Sequence, residues 1–380
     1  MENIMELLEK EDGTKAMIQE CFKVVAASKR IIIFGAGVGG KTLYDLLDQN
    51  GMSDKVIAFS DNNNLKFETT YMTDKLYVIQ PDRLVEKCGL DCIILVASSA
   101  WDKIAAQLEK YGYERDSIYL FNFAFMNLQY TDKEFIYDHI NDFQRAYNRM
   151  VDDKSRKIFI DILNYKITKD NRYLYDMQSL VDDEAGQYFA ADLFELLPTE
   201  RFVDIGAYTG DTYRAYNRIY HSRWEAYYGL EADKKVYVEL GKVVGKENEK
   251  IKIHNIAAWD KKTVLYFEEN AGSSTMGEKK LGEEVQADRV DNILGGENVT
   301  FIKMDIEGAE YNAINGMREL IQKNAPIIAM CVYHRRDDFY RLTDLLETIC
   351  PNEYTYYLRQ YRFTPTETVC YAIPKKRMKR

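Results

Sequence analysis

Two stretches of this sequence share one design, and they constrain its fold more than anything else in it. Arg30-Ile31-Ile32-Ile33-Phe34 runs into Gly35-Ala36-Gly37-Val38-Gly39-Gly40, and Arg201-Phe202-Val203 runs into Asp204-Ile205-Gly206-Ala207-Tyr208-Thr209-Gly210. Each apolar run reads as a short strand, and each glycine loop opens a predicted helix. An acidic residue follows about 20 residues beyond the last glycine, at the end of the next predicted strand: Asp61 in the first case, Glu231 in the second. Strand, glycine loop, helix and acid-tipped strand make the core of a nucleotide-binding α/β unit. The chain is therefore expected to be α/β with two Rossmann-like units, which can be read as distant copies.

The rest of the chain fits around these units. Predicted strands at Val56–Phe59, Tyr77–Ile79 and Cys92–Val96, with a helix from Trp101 to Tyr111, complete an N-terminal domain at 1–121. Residues 1–28 read as one amphipathic helix. Ile136, Ile140, Phe143, Tyr147 and Met150 recur at helical spacing, so 122–198 is expected to be a helical connector packed on the following domain. Strand–helix alternation resumes over 199–380, with strands at Ala226–Leu230, Ile251–Ile256, Thr263–Glu268, Thr300–Met304 and Pro326–Val332. Tyr354–Tyr361 and Glu367–Ile373, separated by Arg362-Phe363-Thr364-Pro365-Thr366, read as a closing antiparallel hairpin. Gly272-Ser273-Ser274 reads as a polar loop that either contacts substrate or is plain.

Composition narrows the function classes. Among 380 residues, 51 Lys and Arg stand against 61 Asp and Glu, a net charge of −10. That balance argues against nucleic-acid backbone binding, which needs clustered cations. No apolar run approaches the ~20 residues of a membrane span, and the acidic N-terminus lacks a secretory pattern. The six cysteines form no Cys-x-x-Cys pair, which suits reduced thiols and a cytoplasmic location. The basic end, Lys375-Lys376-Arg377-Met378-Lys379-Arg380, reads as a solvated tail. The 29 tyrosines suit either wet, ring-lined clefts or amphipathic packing.

The two loops differ in chemistry. Gly35-x-Gly37-x-x-Gly40 with Asp61 is a complete dinucleotide fingerprint, which taken alone says NAD. The second loop is Asp-x-Gly-x-x-x-Gly. A carboxylate there repels a pyrophosphate but suits an amino group or a sulfonium. With Glu231 placed for a ribose diol, this points to S-adenosylmethionine (SAM). Two further strand ends carry chemistry. Ile302-Lys303-Met304 ends at Asp305, followed by Ile306-Glu307-Gly308-Ala309-Glu310, and the next strand ends at Tyr333-His334. Ligands of open α/β sheets bind outside such ends, so Asp305 can face the crevice and His334 can act as a general base. Asp305, Glu307 and Glu310 also cluster, which leaves a divalent metal open. Acids opening a helix have a dipole explanation, however, and no metal ligand is assigned.

VDIGAYTGDT, YYGLEAD, IHNIAAWD and IKMDIEGAE, in this order, resemble the FkbM family of SAM-dependent methyltransferases over about residues 186–375. The resemblance implies a class I methyltransferase fold and O-methylation of a sugar or other small-molecule hydroxyl. It implies that Asp204, Gly206, Ala207 and Gly210 line the methionine end of the cofactor. It also implies that Glu231 binds the ribose, that Asn255 to Ala257 border the adenine, and that Asp305 faces the reacting centre. The chain lacks an Asp at the usual adenine position. Two other readings stay open. One is an NAD-dependent oxidoreductase or nucleotide-sugar-modifying enzyme using Gly35, Gly37, Gly40 and Asp61. The other is a non-catalytic nucleotide-binding scaffold. Acceptor identity, the N-terminal ligand and homo-oligomer formation are not fixed by the sequence.

Overall fold

The structure, a computed structural model, describes residues 2–378 except 64–65, 99–100, 121–131, 171, 177–185, 196, 221–222, 246–248, 271–272, 278–282 and 363–365. The chain divides into two compact units. One comprises Glu9–Phe135 with Lys166–Asp170; the other comprises Met1–Leu8, Ile136–Tyr165 and Asn171–Arg380. The expected N-terminal helix is broken, with helices at Ile4–Leu7 and Thr14–Ala27. Asp12-Gly13 makes the break: the Asp12 carboxylate accepts from Thr14 N–H, and Gly13 N–H bonds to Ile167 O. Much of the expected connector, residues 136–165, belongs to the second unit.

The first unit holds β1 (Ile31–Phe34), β2 (Val56–Ser60), β3 (Thr70–Tyr71), β4 (Thr73–Ile79), β5 (Ile93–Val96) and β6 (Ile118–Leu120). They form one sheet in the order β3-β4-β2-β1-β5-β6, parallel except for short β3. Every residue of β1 is buried. Ile31 and Ile33 pack on one face with Leu43 and Phe59, and Ile32 and Phe34 on the other with Ile94 and Ile104. Burial on both faces explains why the run is continuously apolar rather than alternating.

The second unit is built on β7 (Arg201–Ile205), β8 (Ala226–Glu231), β9 (Ile251–Asn255), β10 (Ala257–Ala258), β11 (Thr263–Asn270), β12 (Ser273–Gly277), β13 (Glu283–Asp288), β14 (Phe301–Met304), β15 (Ile327–Cys331), β16 (Tyr354–Gln360) and β17 (Thr368–Pro374). Seven of these form a sheet in the order β16-β17-β15-β14-β7-β8-β9. β15, β14, β7, β8 and β9 run parallel, whereas β17 pairs antiparallel with both β15 and β16. The chain moves outward from β7 to β9, then returns to β14 beside β7. That reversal opens a crevice at the carboxyl ends of β7 and β14.

A second, four-stranded sheet, β10-β13-β11-β12, was not foreseen from the sequence. Ser273 and Ser274, read as loop, lie in β12 and pair with Asn270 and Glu269 of β11. Gly272 lies outside the described residues, as do Phe363, Thr364 and Pro365.

The helices Ile140–Arg149 and Asp153–Thr168 pack onto the same unit. Phe159 meets Phe143, Tyr147 and Phe339 edge-on, and Arg359 of β16 pairs with Asp152 and Asp192. Among the described residues, no helix is long and apolar enough to cross a membrane.

Candidate active site

The loop after β7 turns by using backbone space that only glycine occupies cheaply. Gly206 has φ +77°, and a Cβ there would lie 2.0 Å from Asp305 O. The chain at the end of β14 thus sits directly against this loop. Tyr208 also lies in the left-handed region, with φ +46°, and its side chain is exposed. Gly206 and Ala207 N–H both bond to Leu230 O, which fixes the loop against β8. Gly210 packs on Leu240 and Val243 of the helix Lys234–Val244.

Glu231, at the tip of β8, is the acid that faces this loop. Its Oε2 accepts from Tyr208 N–H at 2.9 Å and its Oε1 from Asp233 N–H at 2.8 Å. Burial raises its pKa, while those two N–H groups pull it back. A carboxylate has about four acceptor positions, so a vicinal diol can still bond to it. Asn255 Nδ2 donates to Glu231 O and Ala232 O, and Ala257 is buried next along the chain.

Asp204, which the resemblance places at the methionine end of the cofactor, is buried at the end of β7. Its side chain has no exposed surface. It is 3.1 Å from Lys303 Nζ, and Tyr227 OH donates to it at 2.9 Å. Lys303, in the middle of β14, also donates to Gly206 O and lies over the Tyr188 ring. Burial opposes the charge on Lys303, yet Asp204, with Asp305 and Asp211 beyond it, raises its pKa above the lysine value. Burial likewise raises the pKa of Asp204 against the pull of Lys303. The pair therefore supports the glycine loop from beneath. Lys303 was missed in the sequence, where a lone charge inside an apolar strand was the available signal.

The carboxyl ends of β14 and β15 bring Asp305, Glu307, Glu310 and His334 together. His334 Nδ1 is 2.9 Å from Glu310 Oε1, and Nε2 is 3.4 Å from Asp305 Oδ1 and 3.8 Å from Glu307 Oε2. Tyr188 OH donates to the other Asp305 oxygen at 2.9 Å. Glu310 is fully buried, and its Oε1 also accepts from Ile306 N–H. Burial alone would lower the pKa of His334. The hydrogen bond and charge of Glu310, with Asp305 and Glu307, raise it to about 9 instead. In the ligand-free protein the ring therefore holds both protons near neutral pH. Positive φ at Glu307 (+54°) and Gly308 (+91°) shapes this loop, and Arg335 Nε closes it by donating to Gly308 O. Of the acids first read as a cluster, Glu310 and Asp305 converge with His334, while Glu307 is half exposed.

In the first unit the fingerprint residues also meet. Gly35 has φ +113°, and a Cβ on Gly40 would lie 1.8 Å from Gly35 O, so these two glycines serve the turn and the close helix–strand approach. Gly37 caps the helix Val38–Gln49, and its carbonyl accepts from Tyr71 OH. Asp61 accepts from Ala36 N–H at 2.8 Å and Asn63 N–H at 2.9 Å, and pairs with Lys66 at 3.0 Å. Its carboxylate bridges loop and strand end as Glu231 does, but it already carries a cation.

Residues 204–358 match the model of the methyltransferase FkbM domain. That stretch, 155 of the 380 residues, is similar to the methyltransferase FkbM domain. A crystal structure of methyltransferase FkbM from Methylobacillus flagellatus KT is similar over 95% of this chain and 94% of its own, with 23% identity and a TM-score of 0.65. That likeness extends the shared fold across both units. Weaker likenesses include Aeropyrum pernix fibrillarin in complex with natively bound S-adenosyl-L-methionine (15% identity, 50% of this chain and 74% of that one, TM-score 0.32). Another is the Methanococcus jannaschii fibrillarin pre-rRNA processing protein (14%, 48% and 70%, TM-score 0.30). No curated protein matches the chain. The matched stretch holds the Gly206–Gly210 loop, Glu231, Asp305 and His334 within its bounds.

Proposed function

We propose that this protein is a SAM-dependent O-methyltransferase acting on a hydroxyl of a sugar or glycan-type small molecule. The observation that carries the reading is the glycine loop facing the Glu231 carboxylate inside the stretch that matches the methyltransferase FkbM domain. Glu231 takes the ribose hydroxyls on its remaining acceptor positions. Gly206, Ala207 and Gly210 let the methionine end pass close to backbone, with Asp204 holding the loop in place through Lys303. Ala257 borders the adenine.

The methyl group then points toward Asp305 and His334. The acceptor oxygen attacks the methyl carbon in line with the sulfur. A C–O bond forms, the C–S bond breaks, and the electron pair stays on sulfur, leaving S-adenosylhomocysteine. The protein's share is proximity and alignment, with the hydroxyl proton passing to the Asp305 carboxylate, because the His334 ring beside it already holds both protons. The exposed Tyr208 ring on the glycine loop suits the C–H face of a sugar. The test is incubation with methyl-labelled SAM and a panel of hydroxylated sugars, read by mass spectrometry. The reading expects one added methyl on an oxygen. Absence of both SAM binding and methyl transfer would remove it.

A further inference from the structure

We propose that Asp305, Glu310 and His334 form a binding site for one divalent transition-metal cation. Ligand-capable atoms of these three side chains lie within 4.8 Å of one another, a spread that a single ion with bonds of about 2.0–2.3 Å closes with small side-chain shifts. A mixed set of one imidazole and two carboxylates suits ions such as Mn²⁺, Co²⁺ or Zn²⁺.

A second observation, independent of the clustering, points the same way. Glu310 has no exposed surface, and its Oε2 has no hydrogen-bond partner although its Oε1 has two. An orphaned oxygen on a buried carboxylate is costly unless a cation meets it. The nearby cations do not supply one: Lys303 is committed to Asp204 and Gly206 O, and Arg335 Nε to Gly308 O. Glu307 Oε2, 3.8 Å from His334 Nε2, places one more acid beside the site. A buried His–Glu ion pair would explain the Nδ1 contact, but it leaves Oε2 unmatched.

The site lies at the reversal point of the sheet, where the acceptor is placed. Its use in catalysis rests on the methyltransferase reading and replaces the proton acceptor there: with the cation bound, Asp305 and His334 are ligands, the metal lowers the pKa of a ligated acceptor hydroxyl, and the proton leaves to water before the oxygen attacks the methyl carbon. Binding itself does not rest on that reading, so it is tested without SAM or acceptor. Full-length protein, treated with a chelator and desalted, is titrated with Co²⁺ and followed by its visible d–d absorption, then with Mn²⁺ followed by loss of the free-ion EPR signal. One equivalent per chain is expected to saturate both signals. Asp305→Asn, at a partly exposed side chain, is expected to weaken binding about tenfold or more while keeping the wild-type melting transition, and His334→Gln, which lowers that transition by removing a partner of buried Glu310, is expected to weaken binding as much in protein that circular dichroism shows to be folded. No saturable signal in the wild type, or unchanged binding in both variants, overturns the proposal. In that case SAM binding, measured separately, still stands or falls alone.

Discussion

Replacing Lys303 by methionine isolates the interaction on which the glycine loop rests. The side chain is 3% exposed and its partner Asp204 is 0% exposed, 3.1 Å away. At an effective dielectric constant of about 20, two unit charges at that distance attract by about 5 kcal/mol. Removing one partner of a buried pair usually costs about 3–5 kcal/mol, because the other charge is left uncompensated. Only the Tyr227 hydroxyl would remain on Asp204. Lys303→Met is therefore expected to lose about 3–5 kcal/mol at pH 8. The orphaned Asp204 has a second route, which is to hold a proton. With Lys303 gone, its folded pKa rises further above the unfolded value. The variant's stability should then be best at low pH and fall as pH climbs through that raised pKa.

The assay is urea unfolding followed by tryptophan fluorescence in a Trp101→Phe background. Trp224 and Trp259 then report the second unit alone. Adding Asp204→Asn should recover most of the loss, since removing both charges is far milder than removing one. A loss below about 1 kcal/mol, or a double variant no better than the single, would refute the buried, coupled pair.

Three other outcomes follow from the same geometry. Glu231→Gln keeps the side-chain shape but removes the charge proposed to hold the ribose, and should weaken S-adenosylhomocysteine binding about 10- to 100-fold by calorimetry, in line with charge-assisted bonds of about 1.5–3 kcal/mol. Gly206→Ala sets a Cβ 2.0 Å from Asp305 O at a φ of +77°. It should cost at least about 1–3 kcal/mol in urea and abolish cofactor binding; a wild-type affinity would mean the loop does not approach the ligand. Asp338, buried beside Arg335 N–H, has its pKa raised by burial and by Glu310 to about 7. Its folded pKa exceeds the unfolded one, so its contribution is full below pH ~4 and is lost as pH rises through about 7. Asp338→Asn should flatten that part of the stability profile in a pH series of thermal melts.

What the sequence could show depended on how local each signal was. Gly35, Gly40, Gly206 and Gly210 were legible because a turn's backbone demand is written in one or two residues. Glu231 and Asp61 were legible because a fixed βαβ geometry places them at a fixed distance. The ion pair of Asp204 was not legible because its partner, Lys303, lies about 100 residues away. Only the pairing of β7 with β14, Asp204 opposite Lys303, makes them neighbours. Glu310 was set aside as a helix-opening acid for the same reason, since His334 reaches it only through the alignment of β14 with β15. The four-stranded sheet was missed because Ser273-Ser274-Thr275-Met276-Gly277 has no apolar alternation and takes its order from pairing with β11. Part of the tyrosine excess serves packing. Tyr216, Tyr227, Tyr356 and Tyr371 are fully buried, and three of these hydroxyls have partners in Asp204, Glu347 and Tyr361.

The most direct test is a calorimetric titration of the full-length protein with S-adenosylhomocysteine, repeated with NAD⁺. The account predicts one saturable site per chain for S-adenosylhomocysteine, weakened by Glu231→Gln and unaffected by Asp61→Asn. No heat from S-adenosylhomocysteine in a folded protein, or binding that depends on Asp61 and not on Glu231, would contradict it.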